Sequence, residues 1–170
     1  MDRFENRYGD GDQLPLAQFL SNASNVILRS ALRTYPALTG LKVIEARTLY
    51  EIGIHGPVLN KDIAKFASLH KTQVSLAVNN LIEKKLIRFV IDPEDQRRKP
   101  LTLTPSGRRK FKKVAEILKL RQQQILKGMS RNEQTQFFAL LNKITDNAEA
   151  MLIEDKYITA SSKPLRKVAG

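Results

Sequence analysis

There is no cysteine among the chain's 170 residues. Disulfides, thiolate metal sites and redox sensing through a thiol are therefore excluded, and a soluble intracellular protein is expected. No apolar run approaches the roughly 20 residues that cross a bilayer. The opening MDRFENRYGDGDQ lacks a basic start followed by an apolar stretch, so neither a membrane span nor a secretory signal is expected. Histidine is scarce. His55 and His70 stand far apart in sequence, too few ligands for a metal. A nucleophile beside a base, a Gly-rich phosphate loop and a close acid pair with a histidine are also missing, and GDGD (residues 9–12) is too short for a calcium loop. The expectation is a protein that is not an enzyme, with no cofactor and no metal. There is no internal repeat or low-complexity segment.

What is present is positive charge, unevenly placed. The net charge is +12 with a pI near 10.1. Residues 60–113 carry fourteen Lys/Arg against five Asp/Glu, while residues 1–59 carry six of each. A basic block of this kind suits a polyanion, since each phosphate neutralised by Lys or Arg releases condensed counterions. The plainer alternative is a solvated basic face. The 42% hydrophobic content is enough for a core.

Apolar spacing predicts a helix from Leu16 to Leu32, carried by Leu16, Phe19, Leu20, Ala23, Ile27 and Ala31. Tyr35-Pro36 is expected to end it, because the residue before proline is pushed out of the helical region. A second helix is expected from about Leu41 to Ile52, closed by Gly53 and His55-Gly56-Pro57. Two short helices follow, the first capped by Asn60, with Ser68-Leu69-His70 as the turn between them. The second, Lys71 to Lys84, has Val74, Ala77, Val78 and Leu81 on one face and Thr72, Gln73, Ser75, Leu76 and Asn79 on the other. A β-hairpin is expected from LIRFVI to LTLT, then a helix opening at Thr104-Pro105 and ending before Gly128. A last helix begins after the capping box Ser130 to Glu133. The fold class is mainly α with a small β-wing: a winged helix-turn-helix with further N- and C-terminal helices, whose role as dimerisation helices is an implication of the family resemblance given below. Residues 1–12 are a tail, 13–156 the domain, about 41–104 its DNA-binding lobe, and 157–170 a basic tail.

In a helix-turn-helix the second helix enters the major groove, where each base pair shows its own donor and acceptor pattern. Gln73 can reach an adenine edge. Thr72, Ser75 and Asn79 suit bases or phosphates, and Lys71 and Lys65 suit the backbone. The competing reading is an ordinary amphipathic surface helix. In IDPEDQRRKPLTLT (residues 91–104) a burst of opposed charge sits on a hairpin turn. An arginine at a wing tip can enter the minor groove, and Asp95 two residues away can hold the Arg97 guanidinium beforehand. Arg98 and Lys99 would add phosphate contacts. The alternative is a solvated turn whose exposed ion pairs contribute about 0–1 kcal/mol.

Three pieces, in order, carry a resemblance: LKVIEAR with Glu45 and Arg47, TQVSLAVNNLIEKKLI, and DPEDQRRKPLTLTPSGR, a D-x-R pair followed by L-x-L-T-x-x-G-R. The chain resembles the MarR family of bacterial transcriptional regulators from roughly Leu16 to Met151. The resemblance implies a homodimer joined by the first and last two helices, and a pseudo-palindromic promoter site in double-stranded DNA, usually repressed. It also implies a small-molecule effector pocket between the dimer helices and the DNA-binding lobe. Arg29, Arg33, Arg47 and Tyr50 are its candidates, with a local pairing such as Arg47 to Glu51 as the rival role. Leu76 stands where relatives often have arginine, Lys85 where a glycine commonly ends the recognition helix, and His70 where Asp or Ser would cap it. The expected place of action is the cytoplasm, on the nucleoid. Sequence-independent nucleic-acid binding, or a protein-interaction module on the same fold, are the alternatives.

Overall fold

The computed structural model describes residues 15–91, 95 and 98–161, with side chains as far as Ile153. The elements are α1 (Leu16–Thr39), α2 (Val43–His55), α3 (Asn60–Phe66), α4 (Lys71–Glu83), β1 (Ile87–Phe89), β2 (Leu101–Leu103), α5 (Pro105–Ile125) and α6 (Arg131–Ser161). The chain divides into two compact units, one up to Arg121 and one from Gln122 onward.

The core of the first unit is built where α2, α3 and α4 bring their apolar faces together over the sheet. Leu41, Leu49, Ile52, Ile63, Val74, Val78, Leu81, Leu101 and Val114 are almost wholly buried there. β1 and β2 pair antiparallel with Ile87 opposite Leu103, Arg88 opposite Thr102 and Phe89 opposite Leu101. Val58 adds a third short rung by exchanging backbone hydrogen bonds with Leu101, at 3.0 and 2.8 Å. That rung has no local pattern in the sequence, because its partner lies more than forty residues away.

Three expectations need correction. α1 does not stop at Tyr35-Pro36 but continues through Pro36 to Thr39, ending at Gly40 with φ +70°. Proline inside a helix costs about 3 kcal/mol or more. What offsets it is tertiary: Ala31, Tyr35 and Thr39, spaced by four, are the buried face of α1. The Arg121 guanidinium of α5 donates to Ser30 Oγ (2.9 Å) and to the Ile27 carbonyl (3.0 Å), and Lys110 Nζ donates to the Thr39 carbonyl (2.8 Å). Gly53 does not close α2; it lies within the helix, and the Phe111 ring occupies the space a Cβ would need. Asn60 is the first residue of α3 rather than its cap, which is Leu59.

α5 ends at Ile125, ahead of Gly128, whose φ is +90°. In the second unit, Ser130 and Glu133 form the expected reciprocal cap. The Ser130 N–H donates to Glu133 Oε2 at 2.7 Å, and the Glu133 N–H to Ser130 Oγ at 3.3 Å. α6 runs to Ser161, past the Tyr157 at which the basic tail was placed. Large apolar side chains are exposed on α1 (Leu16, Phe19, Val26, Leu32) and on α6 (Phe137, Phe138, Leu140, Met151). No helix among the described residues is long and apolar enough to cross a membrane.

Candidate nucleic-acid interface

α4 is held at both ends by backbone geometry. At its entry, Ser68 takes a left-handed φ of +49°. The Leu69 N–H then reaches the Ala64 carbonyl (3.0 Å) and the Ser68 N–H the Lys65 carbonyl (3.2 Å), the paired closing bonds of a Schellman turn. His70 is the N-cap. Its Nδ1 accepts the Thr72 N–H at 3.3 Å and lies 3.1 Å from Thr72 Oγ1. Gln73 Oε1 accepts the His70 N–H at 3.3 Å. An imidazole can therefore do the work of the expected Asp or Ser, in the neutral form that leaves Nδ1 as an acceptor.

The exit repeats the device. Lys85 has φ +54°. The Lys85 N–H donates to the Ile82 carbonyl (2.8 Å) and the Leu86 N–H to the Leu81 carbonyl (2.9 Å), a second Schellman turn closed by the buried pair Leu81 and Leu86. The path into the wing thus keeps the glycine-type geometry, with a lysine in the left-handed position.

The start of α5 locks onto that exit. Thr104 Oγ1 donates to the carbonyl of Lys85 (2.8 Å) or Leu86 (3.1 Å), and Ser106 Oγ donates to that of Lys85 (2.9 Å). The Gly107 N–H donates back to Thr104 Oγ1 at 3.0 Å. A Cβ on Gly107 would collide with the Leu86 carbonyl oxygen, which is why L-x-L-T-x-x-G ends on glycine.

A buried carboxylate ties α2 to α4. Glu45 is 2% exposed. Its oxygens accept from Lys84 Nζ (2.6 Å), Asn80 Nδ2 (3.0 Å) and the Lys42 N–H (3.0 Å). Burial pushes its pKa up, but the Lys84 ammonium and the N–H donors of Lys42 and Asn80 outweigh burial and hold the carboxyl below its ordinary value. The sequence carried one signal of this tie: a charged residue among the apolar positions of α2.

With Val74, Ala77, Val78 and Leu81 buried, α4 turns Lys71, Thr72, Gln73, Ser75, Leu76 and Asn79 outward, and Leu76 is 63% exposed. Lys65, Lys85, Arg88, Arg98 and Lys99 are exposed as well. In the wing, Arg98 Nε lies 3.6 Å from Asp95 Oδ2, and the Arg98 N–H donates to the Asp95 carbonyl at 2.9 Å. Arg97, the residue expected to pair with Asp95, lies outside the described residues.

The four candidate ligand residues separate. Arg47 and Tyr50 line a recess of about 180 Å³ with Tyr35, Glu51, Val114 and Leu118. Burial raises the Tyr35 hydroxyl's pKa above its ordinary value, against the opposing charge of Arg121 and Arg47. Arg47 Nη2 donates to the Ala67 carbonyl at the end of α3 rather than pairing with Glu51. Arg29 lines a different, open recess on α1, with Asn22 and Asn25, and Arg33 is exposed on the same helix. No group of three or more His, Asp or Glu among the described residues is placed to hold a metal.

Comparison with known proteins places residues 39–98 in a match to the MarR family model. Over 99 residues the chain is 25% identical to the uncharacterized HTH-type transcriptional regulator YwaE of Bacillus subtilis (strain 168). The matched stretch is 58% of this chain, and the chain spans 58% of that relative's length. The fold is similar to the MarR/EmrR family transcriptional regulator from Acinetobacter sp. ADP1, at a TM-score of 0.71 and 25% identity, covering 79% of this chain and 94% of that one. It is also similar to MepR in the S. aureus MepR–DNA complex, at a TM-score of 0.70 and 24% identity over 79% and 99% of the two chains.

Proposed function

We propose that the chain is a sequence-specific DNA-binding transcriptional regulator that acts as a homodimer on a pseudo-palindromic promoter site, as a ligand-responsive repressor; the match of residues 39–98 to the MarR family model supports this. One observation carries this reading: the polar, exposed N-terminal half of α4, capped and held at both ends, with exposed cations on the neighbouring α3, on the turn after α4 and on the wing. MepR, a protein of the same fold, forms a complex with DNA. In this reading Thr72, Gln73, Ser75, Leu76 and Asn79 face the bases, Lys71, Arg98 and Lys99 the phosphates, and Arg97 the minor groove. Leu76, in place of arginine, suits a thymine methyl. Half-sites lie about one DNA turn apart. The exposed apolar residues of α1 and α6 support pairing of two copies, since patches of that kind are uncommon on a lone soluble chain.

The ligand response acts through Arg47. Its guanidinium lines the recess beside Tyr50 and also holds the Ala67 carbonyl at the turn that delivers α4. A small carboxylate entering the recess would compete for that guanidinium and loosen the turn, changing the spacing of the two recognition helices. The protein works in the cytoplasm on the nucleoid and carries no catalytic activity.

The test is recovery of genomic fragments by the purified protein, followed by competition of the recovered fragment against random duplex at rising salt. The recovered fragment should win, and affinity should fall steeply with salt. A salt-independent affinity would overturn the reading. Equal affinity for both duplexes would favour sequence-independent binding, the alternative suggested by the basic residues Lys163, Arg166 and Lys167.

A further inference from the structure

The cap of α4 constrains what one of its own base-facing residues can read. A glutamine amide has an acceptor end and a donor end, and the full reading of adenine uses both, accepting from N6 while donating to N7. In Gln73 the acceptor end is occupied. Oε1 takes the His70 N–H at 3.3 Å, and because a backbone N–H can only donate, the amide's orientation is set by its partner. Nε2, with two N–H donors, has no partner among the described residues, and the side chain is exposed. Thr72 braces the arrangement: its N–H donates to His70 Nδ1, and its hydroxyl lies 3.1 Å from the same nitrogen. His70, Thr72 and Gln73 are thus one interlocked cap, and what Gln73 offers to an approaching groove is a donor.

We infer that Gln73 is a specificity-determining residue that reads guanine rather than adenine, donating to O6 and N7 through Nε2 while its oxygen stays in the helix cap. Guanine presents two adjacent major-groove acceptors. Adenine presents one beside a donor that would face the amide's own donors. The inference rests on the regulator reading above and refines it: the cap that starts the helix also selects the base. The donor end is pre-oriented before DNA arrives, so the bond is made without freezing a free side chain.

The experiment is selection of binding sites from a random duplex library with the wild-type chain, Gln73→Ala and Gln73→Glu, each checked for folding by thermal unfolding. Gln73→Ala removes the reader and marks its position as the one where preference relaxes. Gln73→Glu keeps the cap, since a carboxylate accepts the His70 N–H equally well, and replaces the outward donor with an acceptor. Expected is guanine over adenine at the marked position in the wild type, by about fivefold or more, moving to cytosine or adenine in Gln73→Glu. Adenine at that position in the wild type would overturn the inference, as would an unchanged guanine preference in Gln73→Glu, while leaving the regulator reading intact. So would a Gln73→Ala motif identical to the wild-type one at every position. A wild-type library with no enriched motif would sink the regulator reading itself, and this inference with it. Should Gln73→Ala not fold, the wild-type and Gln73→Glu libraries decide alone, through the position at which their motifs differ.

Discussion

Replacing Lys85 with glycine should stabilise the protein. Lys85 sits at φ +54° immediately after α4, where an L side chain costs about 1–2 kcal/mol relative to the right-handed region. Glycine removes that cost but gains conformational freedom in the unfolded chain, worth roughly 0.4–1 kcal/mol in the other direction. The net gain is about 0.5–1 kcal/mol, or about 1–4 °C in Tm for a chain of this size. The rest of the position is neutral to the change. Lys85 is exposed, and its structural bonds are all backbone: its N–H to Ile82, and its carbonyl accepting from Thr104 and Ser106. Lys85→Ala is the control. It loses the same charge and the same side chain but keeps the strained φ, so it should change stability by no more than about 0.5 kcal/mol. Thermal and denaturant unfolding of the three proteins give the comparison. If Lys85→Gly proves no more stable than Lys85→Ala, the left-handed turn is not a source of strain, and the account of how α4 ends is wrong.

Thr48 is fully buried in α2, and its hydroxyl has no hydrogen-bond partner among the described residues; Thr48→Val should raise stability by about 1 kcal/mol, and a loss measured by denaturant unfolding would show that the hydroxyl is in fact satisfied. Gly107→Ala should cost about 3 kcal/mol, because the new Cβ meets the Leu86 backbone rather than a movable side chain; a Tm within a degree of wild type would refute this. Glu45→Gln should cost about 2 kcal/mol at pH 7 through loss of the charge-assisted bond to Lys84. The folded carboxyl lies below its ordinary value of 4.5, so its contribution is full above that pH and is lost as pH falls through the folded value. The gap between wild type and Glu45→Gln should therefore narrow as pH falls below about 4.5, and a gap that acidification leaves unchanged would count against the buried tie.

What was legible in the sequence was local. The buried face of α4, the Thr104-Pro105 start of α5 and the Ser130 to Glu133 cap each depend on residues within a few positions of one another, and each stands as read. What was not legible depends on distant partners. Tyr35-Pro36 reads as a helix end by every local rule, and it fails because Arg121 and Lys110, more than seventy residues on, donate to α1 on either side of the proline. Glu45 matched a family pattern, but nothing near it names Asn80 and Lys84 as partners. Arg47 with Glu51 was the obvious pair at helical spacing. The guanidinium instead reaches a carbonyl twenty residues away, at the end of α3. A helix C-terminus exposes unbonded carbonyls that a side chain four residues along its own helix does not supply.

These distant ties share one target. Arg47 of α2 holds the turn before α4; Glu45 of α2 holds Asn80 and Lys84 near its end; Thr104 and Ser106 at the start of α5 hold Lys85 just beyond it. The buried face of α4 adds apolar packing, but that packing has no direction and would tolerate small rotations and slides. The hydrogen bonds are directional, and they are anchored in α2 and α5, the two helices that contribute Arg47, Tyr50, Glu51, Val114 and Leu118 to the recess. The position of α4 is therefore set by two of the three helices that line the recess. A disturbance of either helix there must be accommodated at the ends of α4 as well, or be opposed by the bonds that fix them. In the proposed regulator the polar face of α4 would supply the chemistry of recognition, and the buried polar ties its aim.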